Sequence, residues 1–281
     1  MPLSKVFRST ILCFSFGLLL QTVAMAQNAR SKDNASVQGT ANETADAASG
    51  KSLSIGEIAR RCSLSIPIIV AVDDNNRLQS VGSGYVIAPG IVATCAHVIA
   101  NRPLDHVGIA FEGEPVWTGN QLVLIDWDHD LAFLKTNTTA DPLTIDSSED
   151  IQVGDPVVSI GSPMGFYGTV ASGIFSHCRT AGGVRVLQTT AFTSSGSSGG
   201  ALLNQYGKLV GMTASIVAPK DGNTSQGIFL SVSAAYIADD LTKLQQLTTL
   251  PSLTTANPGY VAPETQAVIT KYGPIKKMTD N

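Results

Sequence analysis

Thr193-Ser194-Ser195-Gly196-Ser197-Ser198-Gly199-Gly200 is the stretch whose reading decides the fold. Out of context, serines among glycines have the composition of a flexible linker. The flanks argue otherwise. Residues 184–190 (V-R-V-L-Q-T-T) read as a strand before it, and residues 208–217 (K-L-V-G-M-T-A-S-I-V) as a strand after it. A loop held between two buried strands is rigid, and glycine lets it turn through positive φ. Such a loop points a serine hydroxyl and several backbone N–H groups at one spot. A nucleophile needs that arrangement if the oxyanion it creates is to be stabilised as it forms.

A serine hydroxyl is a weak nucleophile until a base takes its proton, and the base needs an acid to orient it. His97 follows an apolar run in I-V-A-T-C-A-H-V (91–98), and Asp130 precedes one in D-H-D-L-A-F-L-K (128–135). The chain order is His, Asp, Ser, one of the orders in which such triads occur. Plainer readings stand beside each residue. His97 could be a satisfied core histidine and Asp130 a strand-end acid. The spacing of Asp126, Asp128 and Asp130 suggests a calcium loop, but an EF-hand wants Gly and Glu where Leu131 and Asn137 stand. His129 and His177 have no apolar strand delivering them to a cleft edge and read as surface residues. Ser194, Ser195 and Ser197 read as loop formers, and Ser198 is preferred because Gly199-Gly200 follow it.

Four motifs in order, G-S-G-Y-V-I-A-P-G-I-V-A-T-C-A-H-V (82–98), D-H-D-L-A-F-L-K (128–135), G-D-P-V-V-S-I-G-S-P-M-G (154–165) and G-S-S-G-G-A-L-L-N-Q-Y-G-K-L-V-G-M (196–212), resemble the HtrA/Deg branch of trypsin-fold serine proteases. The resemblance runs from about residue 55 to 244. It implies that Ser198 attacks the scissile carbonyl, that His97 takes its proton and passes it to the leaving amine, and that ionised Asp130 fixes the imidazole. It implies an oxyanion hole from the N–H groups of Gly196 and Ser198. By alignment, Phe192 falls at the base of the primary pocket, where an enzyme favouring Arg or Lys would have a carboxylate. Thr213, Ala214, Ser215 and Ile216 should offer a strand edge to the substrate backbone, with Gly227, Ile228 and Phe229 walling the pocket. An apolar, partly filled slot favours small aliphatic side chains.

The chain also departs from that family. Its usual Asn-Pro-Gly-Asn is replaced by Ser194-Ser195-Gly196-Ser197, which predicts a more mobile loop whose oxyanion hole forms on substrate binding. No acid stands at 197 to pair with a newly freed N-terminus, so zymogen-like trimming is not expected. Many relatives carry a PDZ domain after the catalytic part. The Thr- and Pro-rich residues 248–281 are too few for one, and PDZ-driven regulation is not expected.

The remaining composition fits an exported chain. Of 281 residues, 43% are hydrophobic and 14% charged, enough for one or two domains with a sizeable core. Lys5 and Arg8, the apolar run 11–20 and Val23-Ala24-Met25-Ala26 read as a secretory signal peptide over 1–26, too short in its apolar run for a membrane anchor. Its removal takes two positive charges from the formal −4 and leaves −6. An acidic surface disfavours nucleic acid and anionic membranes. Residues 27–52 are small and polar and read as a disordered linker. Of Cys62, Cys95 and Cys178, an odd count leaves at least one thiol free. Cys62 and Cys178 are the pair open to bridging, and Cys95 reads as a small core residue. No Cys/His spacing suggests a zinc site, and neither metal nor cofactor is expected.

Strand signals then recur at 68–72, 78–88, 91–96, 107–111, 116–125 and 131–135, and again at 156–160, 170–178, 184–190, 201–203, 208–217 and 227–232. Pro89-Gly90 reads as a type II turn, and Val107, Ile109 and Phe111 alternate with smaller residues as if one face were buried. Six and six predict an all-β fold of two six-stranded antiparallel β-barrels, 53–145 and 146–247, with the active site in the cleft between them. Ser233 should cap a short C-terminal helix with Ile237, Leu241 and Leu244 on one face. The expected protein is a periplasmic or extracellular serine endopeptidase acting on protein or peptide substrates, with homo-oligomerisation open. A trypsin-fold peptide-binding module that cleaves poorly is the alternative. An esterase would need an α/β scaffold that this pattern does not suggest.

Overall fold

The computed structural model describes residues 51–73, 78–100, 104–112, 121–181, 183–214 and 229–246. The predicted signal peptide, most of the linker and the C-terminal tail lie outside the described residues. Among the described residues, no helix is long and apolar enough to cross a membrane.

Helix α1 (Ile55–Cys62) opens the folded part. Ser54 and Glu57 form a capping box: the Ser54 amide donates to Glu57 Oε2 at 2.8 Å, and the Glu57 amide donates to Ser54 Oγ at 3.2 Å. Ile58 and Cys62, one turn apart, are the residues it buries.

Among the described residues, the first half holds seven strands. β1 (Ile68–Val72), β2 (Leu78–Ser83) and β5 (Val107–Ala110) form one antiparallel sheet in the order β2-β1-β5. β3 (Tyr85–Ala88), β4 (Ile91–Cys95), β6 (Gln121–Asp126) and β7 (Leu131–Lys135) form another in the order β3-β4-β7-β6. The single strand expected over 78–88 breaks at Gly84, and its two parts join different sheets. That passage of one segment through both sheets unites the half, and no β5–β6 pairing closes it among the described residues. Val107–Ala110 is buried on both faces rather than one, because the sheet lies against the rest of the core.

The second half is a closed barrel of β8 (Pro156–Gly161), β9 (Thr169–Ala181), β10 (Val184–Thr189), β11 (Ala201–Asn204), β12 (Leu209–Ala214) and β13 (Phe229–Ser233), ordered β10-β13-β12-β11-β8-β9. Closure removes free edges. Strand alternation splits its apolar side chains. Val157, Phe175, Leu187, Leu202 and Val210 make one cluster, while Val158, Ile160, Leu203, Leu209 and Met212 on the other face join the core of the first half. The connecting segment is tied to the barrel through the Asp146 amide on the Leu209 carbonyl (2.8 Å) and the Leu209 amide on the Thr144 carbonyl (2.8 Å).

Helix α3 (Ala234–Gln246) closes the described chain, with Ser233 Oγ accepting the Ala235 amide at 3.3 Å. Ile237 and Leu244 are buried, as the apolar periodicity predicted. Cys62 and Cys178 are both free thiols. Cys62 Sγ donates to the Gly207 carbonyl at 3.7 Å, whereas Cys178 Sγ accepts from Arg185 Nε at 2.9 Å, so the two face different neighbours.

Candidate active site

β4 is buried along its whole length and runs straight into α2 (Ala96–Ile99), which puts His97 at a strand end with its side chain 49% exposed. β7 pairs with β4 in the register Cys95↔Leu131, so the residue before Leu131 falls beside the start of α2. That residue is Asp130, at φ +56, a left-handed conformation that Asp tolerates better than most. Three hydrogen bonds lock it to the start of α2, two of them from the histidine. The Ala96 amide donates to the Asp130 carbonyl (2.9 Å), the His97 amide to Oδ1 (2.8 Å), and His97 Nδ1 lies 2.6 Å from Oδ2. A carboxylate only accepts, so Nδ1 carries the proton, and in the neutral ring Nε2 keeps a lone pair.

The serine turn packs against this unit from the second half. Gly199, at φ +86, has no room for a side chain: an added Cβ would sit 2.1 Å from the Ser83 carbonyl oxygen, 2.5 Å from Thr94 Oγ1 and 3.0 Å from the Cys95 amide. Ser198 is therefore delivered against the end of β4, two residues from His97. Its carbonyl accepts the Ser83 amide at 2.7 Å, and Ser198 itself is buried.

Within the turn, the amides of Ser197, Gly199 and Gly200 donate to the carbonyls of Ser194 (2.9 Å), Thr213 (2.8 Å) and Ser197 (2.9 Å). The Gly196 amide donates to nothing among the described residues. Its orientation is set from the other side of the same trans peptide, because the Ser195 carbonyl accepts the Met164 amide at 2.9 Å and so turns the Gly196 N–H the opposite way. Gly196 sits at φ +94, and a Cβ there would stand 2.8 Å from the Met164 nitrogen. The Ser-rich turn is thus braced by internal and tertiary hydrogen bonds, where its composition predicted mobility.

Ser83 is the residue that the sequence reading missed. Fully buried, it donates from Oγ to the Gly196 carbonyl (2.8 Å) and accepts the Ser162 amide (2.7 Å), while its carbonyl accepts Thr94 Oγ1 (2.7 Å). The hydroxyl thereby ties the serine turn to the end of β8, and the carbonyl adds β4. The available signal was a serine between two glycines where strand alternation would place an apolar residue.

The specificity residues fare differently. Thr213 is buried, with its amide on the Gly200 carbonyl (2.8 Å), its carbonyl taking the Gly199 amide, and Oγ1 on the Ser197 carbonyl (2.7 Å). It braces the serine turn, which corrects its expected place on the substrate edge. Ala214 is buried and pairs with Leu230. Phe192 is 62% exposed and meets Phe229 edge-on at 5.4 Å, so it is not buried as a pocket base would be. Ser215, Ile216, Gly227 and Ile228 lie outside the described residues. His129, expected on the surface, is half-buried: its Nδ1 lies 2.6 Å from Asp126 Oδ2 and its ring stacks on Tyr236 at 3.8 Å. His177 is exposed as expected.

Residues 82–212 match the family described as a trypsin-like peptidase domain. The chain resembles HtrA/Deg-type trypsin-fold serine proteases. Protease Do-like 5, chloroplastic, from Arabidopsis thaliana is 30% identical over 183 residues, which cover 58% of this chain and 57% of that protein. Periplasmic serine endoprotease DegP of Salmonella typhimurium is 34% identical over 162 residues, covering 54% of this chain and 33% of that one. An HtrA-type protease solved with a tripeptide superposes with a TM-score of 0.61 at 27% identity, covering 69% of this chain and 64% of its own. The chain spans about half of the first relative and a third of the second. The His97–Asp130 pair lies on the first half, and the serine turn leads into β11 of the barrel.

Proposed function

We propose that the chain is an exported serine endopeptidase that cleaves unfolded or exposed protein segments through His97, Asp130 and Ser198. One observation carries the reading: a single carboxylate holds both the amide and the Nδ1 of His97, and the Gly199 contact seats the Ser198 turn on the strand that delivers that histidine. In this mechanism His97 Nε2 takes the Ser198 proton as Oγ attacks the carbonyl carbon. Asp130 stays ionised and stabilises the imidazolium, which then protonates the leaving amine. The Gly196 and Ser198 amides receive the oxyanion. Removing one such donor typically costs on the order of 10²–10³ in turnover. Water repeats the sequence on the acyl-enzyme.

Relatives named as periplasmic endoproteases support export to the periplasm or beyond. The two barrel halves, 53–145 and 146–247, are proposed as the functional units. Phe192 and Phe229 favour a small aliphatic residue before the scissile bond. A serine-reactive phosphonate should label the full chain and leave Ser198→Ala unlabelled, and casein digestion should cut after Ala or Val. Equal labelling of both proteins, or dominant cuts after Arg or Lys, defeats the corresponding part of the proposal. A folded chain that binds peptide but takes no label supports the binding module instead.

A further inference from the structure

The geometry points to a soft-metal site at Cys95, His97 and Asp130, where zinc or cadmium would bind and shut off the histidine as a base. One ligand atom from each residue lies within 4.8 Å of the other two. Sequence spacing concealed this. Cys95 and His97 are near neighbours, but the carboxylate arrives only through the β4–β7 register. The thiol is fully buried behind the pair, with Sγ 3.6 Å from the Thr213 carbonyl. The Tyr85 hydroxyl, also fully buried, has no hydrogen-bond partner among the described residues.

Thiolate, imidazole and carboxylate are ligands that zinc takes together, at about 2.3 Å to sulfur and about 2.0–2.2 Å to nitrogen and oxygen. Thiolate and carboxylate together cancel the charge of a divalent ion. Binding forms the S–metal bond and releases the thiol proton to solvent. Coordination through Nδ1 moves the imidazole proton to Nε2, so the ring stays neutral. His97 and Asp130 must part from their 2.6 Å contact by about 1 Å to flank an ion with such bond lengths. The half-exposed ring has freedom to turn, and water from the cleft completes the coordination. With its proton on Nε2, His97 can no longer accept from Ser198.

As an inhibitory device this rests on the proposed catalytic role of His97; as a binding site it does not. The test is therefore spectroscopic first. Cadmium titrated into the full chain should raise a thiolate-to-metal charge-transfer band that saturates at one equivalent. The band should disappear in Cys95→Ser, persist in Cys178→Ser, and need at least tenfold more cadmium in Asp130→Asn. Serine nearly matches cysteine in size, and an unchanged melting temperature for Cys95→Ser keeps a lost band from being a lost fold. Zinc should compete the band away, and magnesium should not. No band, or a band that survives Cys95→Ser, overturns the site. If the chain cleaves casein, zinc should inhibit it, with Cys95→Ser at least tenfold less sensitive; equal sensitivity overturns the inhibitory role. If the chain cleaves nothing but the band behaves as described, the metal site stands and the peptidase reading falls.

Discussion

Two histidines in the first half put Nδ1 2.6 Å from a carboxylate, and by that distance alone His97–Asp130 and His129–Asp126 are indistinguishable. The surroundings separate them. Asp126 spends its other oxygen on the amides of Asp128 and His129, two and three residues along (2.9 and 3.2 Å), so its pair is a local turn. Asp130 takes the amide of a residue 33 positions away and so joins two chain segments. The His129 ring is then covered by Tyr236, whose hydroxyl accepts the Arg185 amide at 3.0 Å and ties the turn to the barrel. The His97 ring is half open, and the serine turn packs on the end of the strand that carries it. A carboxylate orients an imidazole in either place. What the ring can do depends on what its other nitrogen faces.

The strongest way to break this contrast is to remove each pair in turn. Asp130→Asn should lower kcat on casein by about 10⁴-fold, the loss expected when a triad histidine is held in the wrong tautomer. His129→Ala should leave turnover within about tenfold and act mainly on stability, since stacked aromatic pairs contribute about 0.5–1.5 kcal/mol beyond their burial. Comparable kinetic losses in the two variants would mean that the turn at 126–130 works as one unit and that the distinction drawn here is empty.

The serine turn sharpens the same lesson, because its brace is again tertiary. Ser83→Ala leaves the Gly196 carbonyl and the Ser162 amide without their buried partner, and each such group costs about 1–3 kcal/mol. Melting should report that loss. Turnover should fall more than KM rises, by less than the order of 10²–10³ that outright loss of an oxyanion donor costs. Unchanged kcat in a folded Ser83→Ala would free the turn from its dependence on β2.

These residues mark how far the sequence could be read. The barrel strands and α3 were legible because alternation and helical spacing survive where apolar faces pack into shared clusters. His97, Asp130 and Ser198 stood out as candidates because each abuts an apolar strand or a glycine turn, and the structure pairs the first two. Ser83 did not stand out, since its value lies in contacts 79 and 113 residues away that no local period encodes. The rigidity of Ser194–Ser197 was misjudged for the same reason: Met164, Ser83 and Thr213 hold it, and none is a neighbour in sequence. Thr213 was placed on the substrate edge because an apolar strand pattern does not say which backbone groups are already taken.

The smallest effect lies behind the His129 pair and has a sign that pH can test. Burial alone would raise Asp126, but the His129 ring bond and charge, then the amides of His129 and Asp128, outweigh it and hold the carboxyl below its usual range. Asp240, buried on α3, goes the other way. Burial raises it and the Asp126 charge adds to that, against the hydrogen bond from Lys243 Nζ to Oδ1 at 2.6 Å. Its Oδ2 has no hydrogen-bond partner among the described residues. A carboxyl whose folded pKa is raised contributes stability that is fully present below its unfolded value, about 3.9, and lost as pH rises through the folded one. Ionised Asp240 therefore opposes folding at neutral pH. Asp240→Asn should raise the melting temperature at pH 7, at about 2–4 °C for each kcal/mol recovered, and the advantage should shrink to nothing towards pH 3. Because Lys243 is largely exposed, the ion pair that the substitution gives up is worth little in return. A melting temperature that drops at pH 7 would instead make Asp240 a net support for α3, and the turn carrying His129 would then be held by charge as well as by the Tyr236 ring.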